Sequence, residues 1–206
     1  MKKTLILWTL VVLCFYLAFA ASSGPNFPGT MANTPCSKCQ SWVDIDNMKA
    51  DDGSDATRAL SINANTRLAT ATNFGFAIPT GATIVGYVVV VQAKRTLTDG
   101  DNPAFNAVYI YNGAQVGDNK GGAEITTSSM VDYSFGGIAD DWNAALVYSD
   151  VNGIGFGTQF QIHNYNDTYT ANLSVDYVKI TVYYTEAASG SKKRIIGHAR
   201  TATTFK

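Results

Sequence analysis

Ala82 to Arg95 constrains the fold more than any other stretch of this chain. In an extended backbone, alternate side chains point to opposite faces. Here Ile84, Val88 and Val90 fall on one face, and Val85, Tyr87, Val89 and Val91 on the other. β-Branched and aromatic residues of this kind fit a pleated strand better than a helix. A strand apolar on both faces has to be covered on both sides, so it belongs in the middle of a sheet or between layers. The rest of the chain must therefore supply further strands.

Shorter segments with the same two-residue period provide them. They are Ala59 to Ile62, Thr72 to Ile78 through Phe74 and Phe76, Phe105 to Tyr111 with Phe105, Ala107, Tyr109 and Tyr111 on one side, and Met130 to Phe135. Ile154 to Ile162 places Phe156, Phe160 and Ile162 inward, with Gly157, Gln159, Gln161 and then His163 outward. Ser174 to Tyr184 turns Val178, Ile180, Val182 and Tyr184 inward and Lys179 and Thr181 out, as in a one-sided antiparallel sheet. Asp140 to Tyr148 reads as one or two helical turns capped by Asp140 or Asp141. Fourteen of the sixteen acidic residues are Asp, a turn former, and eighteen Gly accompany them. The expected fold is all-β: an antiparallel, jelly-roll-like β-sandwich, with a closed barrel as the alternative.

The ends differ from the body. Lys2-Lys3, the apolar run Thr4 to Phe19 and the small residues Ala18, Ala20 and Ala21 have the pattern of a secretory signal peptide. The apolar run is about sixteen residues, short of the roughly twenty that cross a bilayer. Residues 1–20 are thus expected to be removed, with contact with a membrane only during export. Residues 21–40 hold Pro25, Pro28 and Pro35 and read as an extended arm that lies over the domain or reaches a neighbour. Residues 41–185 form the sandwich domain, and 186–206 a basic tail. Residues 21–185 hold eight Lys/Arg against fifteen Asp/Glu, whereas the tail holds five against one. An acidic body with a basic tail can attract its own copies head to tail, and an acidic body excludes a general nucleic-acid binder.

Several stretches taken together resemble a diffuse group of β-sandwich domains in secreted surface proteins and virion structural proteins. They are Trp42-Val-Asp-Ile-Asp-Asn47, Ala50-Asp-Asp-Gly-Ser-Asp-Ala-Thr57, Phe74-Gly-Phe-Ala-Ile-Pro79, Gly81-Ala-Thr-Ile84 with Gly86, and Val175-Asp-Tyr-Val-Lys-Ile-Thr-Val-Tyr-Tyr184. The resemblance spans about residues 25–185. It implies a sandwich in a structural or surface setting, with no catalytic residues to carry over.

Candidate chemistry is sparse. Cys36 and Cys39 form a Cys-x-x-Cys pair whose simplest use after export is a local disulfide, with a bridge between subunits as the alternative. Zinc would need two more ligands, and only His163 and His198 remain. The acidic loop with Asp44, Asp46, Asp51, Asp52 and Asp55 offers hard oxygens for Ca²⁺, although Met48 and Lys49 interrupt the EF-hand spacing. Its other reading is a set of Asp-capped turns. Asp99, Asp101 and Asn102 form a second, weaker cluster. Tyr165, Tyr169, Tyr177 and Tyr183 are placed to form an aromatic surface for glycans or for a neighbouring subunit. Asn166 and Asn172 begin glycosylation sequons. His163 has no nucleophile signature beside it, and Asp51-Asp52 and Asp140-Asp141 are adjacent pairs that point apart in a strand.

The expected function is therefore non-enzymatic. The chain reads as an extracellular structural subunit that polymerises with its own copies by exchanging a terminal strand. The tail residues Arg194, Ile195, Ile196, Ala199, Thr201, Thr203 and Phe205 lack proline and are the better donor. The alternative is a secreted carbohydrate-binding or adhesive module, with Ca²⁺ as its cofactor.

Overall fold

The computed structural model describes residues 20–96 and 102–187. The expected signal peptide up to Phe19, Asp99 and Asp101, and the tail from Ala188 onward lie outside the described residues.

Two antiparallel sheets stack into a sandwich, as the alternating sequence requires. Sheet A holds β1 (Ala21–Asn26), β3 (Ala56–Leu60), β5 (Thr83–Thr96), β8 (Val131–Gly137) and β10 (Ala171–Thr185). Its order is β3–β10–β5–β8, with β1 beside β3 on the same edge of β10. Sheet B holds β2 (Thr30–Thr34), β4 (Leu68–Thr72), β6 (Pro103–Asn112), β7 (Gln115–Val116) and β9 (Phe156–Asn164), in the order β2–β4–β9–β6–β7. With β1 and β2 set aside, the orders 3-10-5-8 and 4-9-6-7 are the double Greek key of a jelly roll.

The long apolar strand β5 takes the central place its two apolar faces demand, between β10 and β8. Tyr87, Val89, Val91 and Ala93 are buried between the sheets, facing Phe105, Val108, Ile110, Phe156, Phe160 and Ile162. Aromatic rings tie the layers: Phe105 meets Phe135 at 5.2 Å and Tyr87 meets Phe156 at 5.9 Å between ring centroids.

Four expectations change. The arm 21–40 joins the domain's sheets rather than lying over them: β1 pairs with the Ile180–Tyr184 stretch of β10, and β2 pairs with β4. Pro25 is tolerated because β1 is an edge strand whose register shifts between Ser23 and Asn26. Strand Thr72 to Ile78 ends at Thr72. Phe74, Phe76 and Ile78 keep their alternating burial, but this stretch crosses between sheets and is held outside the ladders. Asn73 N donates to Ile154 O, and Asn152 brackets Ile78 by donating to its carbonyl and accepting from its amide. In β6 a bulge between Phe105 and Ala107 shifts the faces, so Phe105, Val108 and Ile110 point inward while Ala107, Tyr109 and Tyr111 point out. The helix expected at Asp140 to Tyr148 is a set of turns, and the single helical turn α1 spans Tyr148–Val151. Asp140 and Asp141 accept from the amides of Trp142 and Asn143 instead of capping a helix.

Candidate functional site: a cleft and an uncharged sheet face

A cleft of about 260 Å³ opens at the end of the sandwich where β5 begins and β10 finishes. Its walls are Ala82, Thr83, Ile84 and Tyr87 on one side and Asp141, Ala145, Leu146 and Val147 on the other. The second wall is a strained loop. Trp142, Asn143 and Ala145 all have φ between 51° and 58°, a region that residues other than glycine rarely occupy. Trp142 fixes that loop. It is wholly buried, its Nε1 donates to Tyr87 O (3.2 Å), and its carbonyl accepts from Asp118 N (2.7 Å). Tyr87 is 1% exposed, and its hydroxyl has no hydrogen-bond partner among the described residues. Burial, and then the charges of Asp141 and Asp150, push that hydroxyl well above the ordinary tyrosine value. Asp140 is engaged by Lys120 at 3.0 Å. Asp141 is exposed and has one carboxylate oxygen on the Asn143 amide.

The outer face of sheet B is a second feature. None of its strand residues is Asp, Glu, Lys or Arg. A ladder of neutral polar groups crosses it. Thr34 and Thr70 share a hydroxyl hydrogen bond (2.6 Å), Gln159 Nε2 donates to Thr70 Oγ1 (2.7 Å), and Gln115 Nε2 donates to Gln159 Oε1 (3.1 Å). Tyr109 and Tyr111 stand half-buried on the same face. A second row joins Asn106 Nδ2 to Gln161 Oε1 (3.1 Å) and Gln161 Nε2 to Thr66 O (2.8 Å). Cys36 and Cys39 form the expected disulfide, and Gln161 lies against both sulfurs.

The acidic loop does not converge. Asp46 pairs with Lys49 (3.1 Å) and Asp55 with Lys94 (2.9 Å), Asp52 accepts from Ser54 N, and Asp44 precedes the 3₁₀ turn Ile45–Met48 with φ 53°. Asp51 is exposed. Among the described residues no group of three or more His, Cys, Asp or Glu is arranged to hold a metal ion. The loop instead packs on Asp176, which is 4% exposed. Burial, with Asp51 and Asp55 nearby, raises the pKa of Asp176 against the pull of the Gly53 and Asp52 amides.

The four tyrosines expected to form one surface are dispersed. Tyr177 is buried, packed edge-on against Phe27, and its hydroxyl donates to Asp132 (2.7 Å). Tyr183 sits in the β1–β10 ladder. Tyr165 and Tyr169 are exposed at the end of the sandwich opposite the cleft, with Ile62 near them. Asn166 is 1% exposed and its side-chain Oδ1 accepts from the Thr168 and Tyr169 amides, so the folded chain leaves no room for a glycan on it. Asn172 is exposed on β10. His163 takes a hydrogen bond with Asn65 Oδ1 (2.9 Å) and packs edge-on against Tyr165. Burial lowers its pKa.

Two features escape a residue-by-residue reading. Tyr87 looks like any core residue of β5, and Asp141 looks like a cap. The absence of charge from sheet B is visible only once its five strands are known to be neighbours.

The fold and these features define a jelly-roll sandwich with a small end cleft and one uncharged face. Comparison with protein-family models, with curated proteins and with solved structures finds no match to this chain. The same architecture serves many functions, so the reading below rests on its surfaces.

Proposed function

We propose that this chain is an extracellular structural subunit that associates with its own copies into a filament or surface fibre. The observation that carries the reading is the charge-free outer face of sheet B. Interface cores are depleted in charge and enriched in tyrosine. A face without ions is covered by a partner at no ionic desolvation cost. Exposed apolar side chains at both ends of the sandwich support end-to-end contact as well, with Ile62, Tyr165 and Tyr169 at one end and Ile138 and Ile154 at the other. Residues 21–34 lie on the edges of β10 and β4, so strand exchange through that arm takes the form of a swap between sister molecules. The outer edge of β8 has no ladder partner among the described residues and is open to strand addition. Export rests on the amino-terminal segment.

Negative-stain imaging of the purified chain tests the reading, with Ala32→Glu as the control. Ala32 is exposed on the edge strand of sheet B, where a charge leaves the fold intact and spoils a dry interface. Regular fibres from the wild type and dispersed particles from Ala32→Glu are expected. Dispersed wild-type particles at every concentration would sink the proposal.

A second reading is favoured by the adjacent outward tyrosines Tyr109 and Tyr111, flanked by Gln115 and Gln159. Rings with amide neighbours fit a neutral sugar. Glycan-array binding lost in Tyr109→Ala and retained in Ala32→Glu is the outcome that selects it.

A further inference from the structure

The end cleft has one occupant that the chain itself supplies. We infer that the carboxy-terminal segment Lys192–Ile196 folds back into the cleft of its own molecule, with a cationic head on Asp141 and an isoleucine side chain against Leu146 and Val147.

Four observations lead there. The first is position. Thr185, the last residue of β10, pairs with Thr83 in the cleft wall, and the Ala187 side chain lies beside Gly81, 3.3 Å from where a Cβ there would sit. The described chain therefore stops at the rim of the cleft.

The second is reach. Residues 188–191 are Ala, Ser, Gly and Ser. Four extended residues span about 14 Å, enough for the next residues to turn back over a rim they start from. Tethering by so short a linker gives an effective concentration on the order of millimolar, so even weak docking is populated.

The third is chemistry. Lys192, Lys193 and Arg194 precede Ile195 and Ile196. The cleft offers the matching order. Asp141 stands exposed at its lip, with one carboxylate oxygen on the Asn143 amide and no ion-pair partner among the described residues. Ile84, Leu146 and Val147 line the interior, with Val147 exposed. The buried Tyr87 hydroxyl, unpartnered in the described structure, is a donor or acceptor waiting for a backbone group.

The fourth is size. A cleft of about 260 Å³ is below the roughly 300–1,000 Å³ of sites for drug-sized ligands. It suits one or two aliphatic side chains.

This inference is independent of the assembly reading, because the tail and the cleft belong to one molecule. Limited trypsin digestion of the full chain tests it, with intact-mass detection of cleavage after Lys192, Lys193 and Arg194. Cleavage after Arg200, beyond the docked segment, serves as the internal reference. Docking predicts that the three inner sites are cut at least about tenfold more slowly than Arg200, with protection unchanged on hundredfold dilution. Leu146→Glu should abolish the protection. Asp141→Asn, which keeps the Asn143 turn, should weaken it several-fold, in line with the modest worth of an exposed ion pair. If Leu146→Glu does not fold, Asp141→Asn and the dilution series decide. Inner sites cut as fast as Arg200 in the wild type overturn the inference. Protection that disappears on dilution also overturns it, by assigning the tail to a neighbour's cleft.

Discussion

On the outer face of sheet A, charges come in partnered sets, whereas on sheet B neutral side chains bond to one another. Lys179 approaches Asp132 at 3.5 Å while Tyr177 donates to the same carboxylate, and Lys94 reaches out to Asp55. Sheet B replaces such pairs with the Thr34–Thr70–Gln159–Gln115 ladder. Both patterns satisfy polar groups, but they respond differently to change. An ion pair at a half-exposed site is screened and replaceable, so it contributes about 0.2–1 kcal/mol. A buried neutral ladder depends on every member, because each loss strands a partner away from water. The two faces should therefore respond differently to substitution.

The sharpest way to break this contrast is to place a like charge on each face. Gln159 is 3% exposed, so Gln159→Glu should cost about 3 kcal/mol or more. Thr181→Glu, on the half-exposed face of β10, should stay within about 0.5 kcal/mol. Urea midpoints at equal m-value measure both, and equal losses would end the distinction. Next in size is Gln159→Leu, which removes the bonds but adds no charge. It should cost about 1–2 kcal/mol, because buried Thr70 loses its amide donor while exposed Gln115 turns to water. Smaller still is Lys179→Met. The loss there should be about 1 kcal/mol or less and should shrink in 1 M salt, while that of Gln159→Leu should not.

Acid titration probes the two sheets through different groups. On sheet A the two carboxylates oppose each other. Burial pushes Asp132 up, but the Tyr177 hydroxyl, Lys179 and Gln92 outweigh it and hold its pKa below the ordinary 3.8. Its contribution is therefore complete above the ordinary value and disappears as pH falls through the lowered one. Asp176 is raised, so the native state holds its proton longer than the unfolded chain. Its contribution grows as pH falls from above its raised value to the ordinary one. Asp176→Asn should stabilise the protein at neutral pH and lose that advantage in acid. On sheet B, His163 is lowered by burial, so stability should begin to fall as pH drops below 6.5. His163→Gln should flatten that limb in thermal melts between pH 7 and 5. If the limb survives the substitution, the histidine is not its source.

The legible parts of the molecule were those where one local period decides. β5, β9 and β10 lie within three residues of the segments their alternation marked, and the inward residues of β9 and β10 are buried as that alternation requires, except Tyr184, which is partly buried. The Cys36–Cys39 bridge follows from spacing alone. The losses came where a nonlocal partner overrode the local pattern. Phe74, Phe76 and Ile78 alternate like a strand, yet no neighbouring strand is there to pair with them. The single extra residue Asn106 reversed which of the β6 side chains meet the core. Pro25 did not exclude β1 from a sheet, because an edge strand pairs on one side only.

The sequence by itself determined the all-β character and the central place of β5, because alternation and β-branching act between neighbours in the chain. Tertiary structure alone decided three things. It sent the proline-bearing arm into both sheets, scattered the acidic loop and the tyrosines, and brought Tyr87 and Asp141 to the same cleft. Each depends on distances between residues far apart in sequence, which no local period encodes.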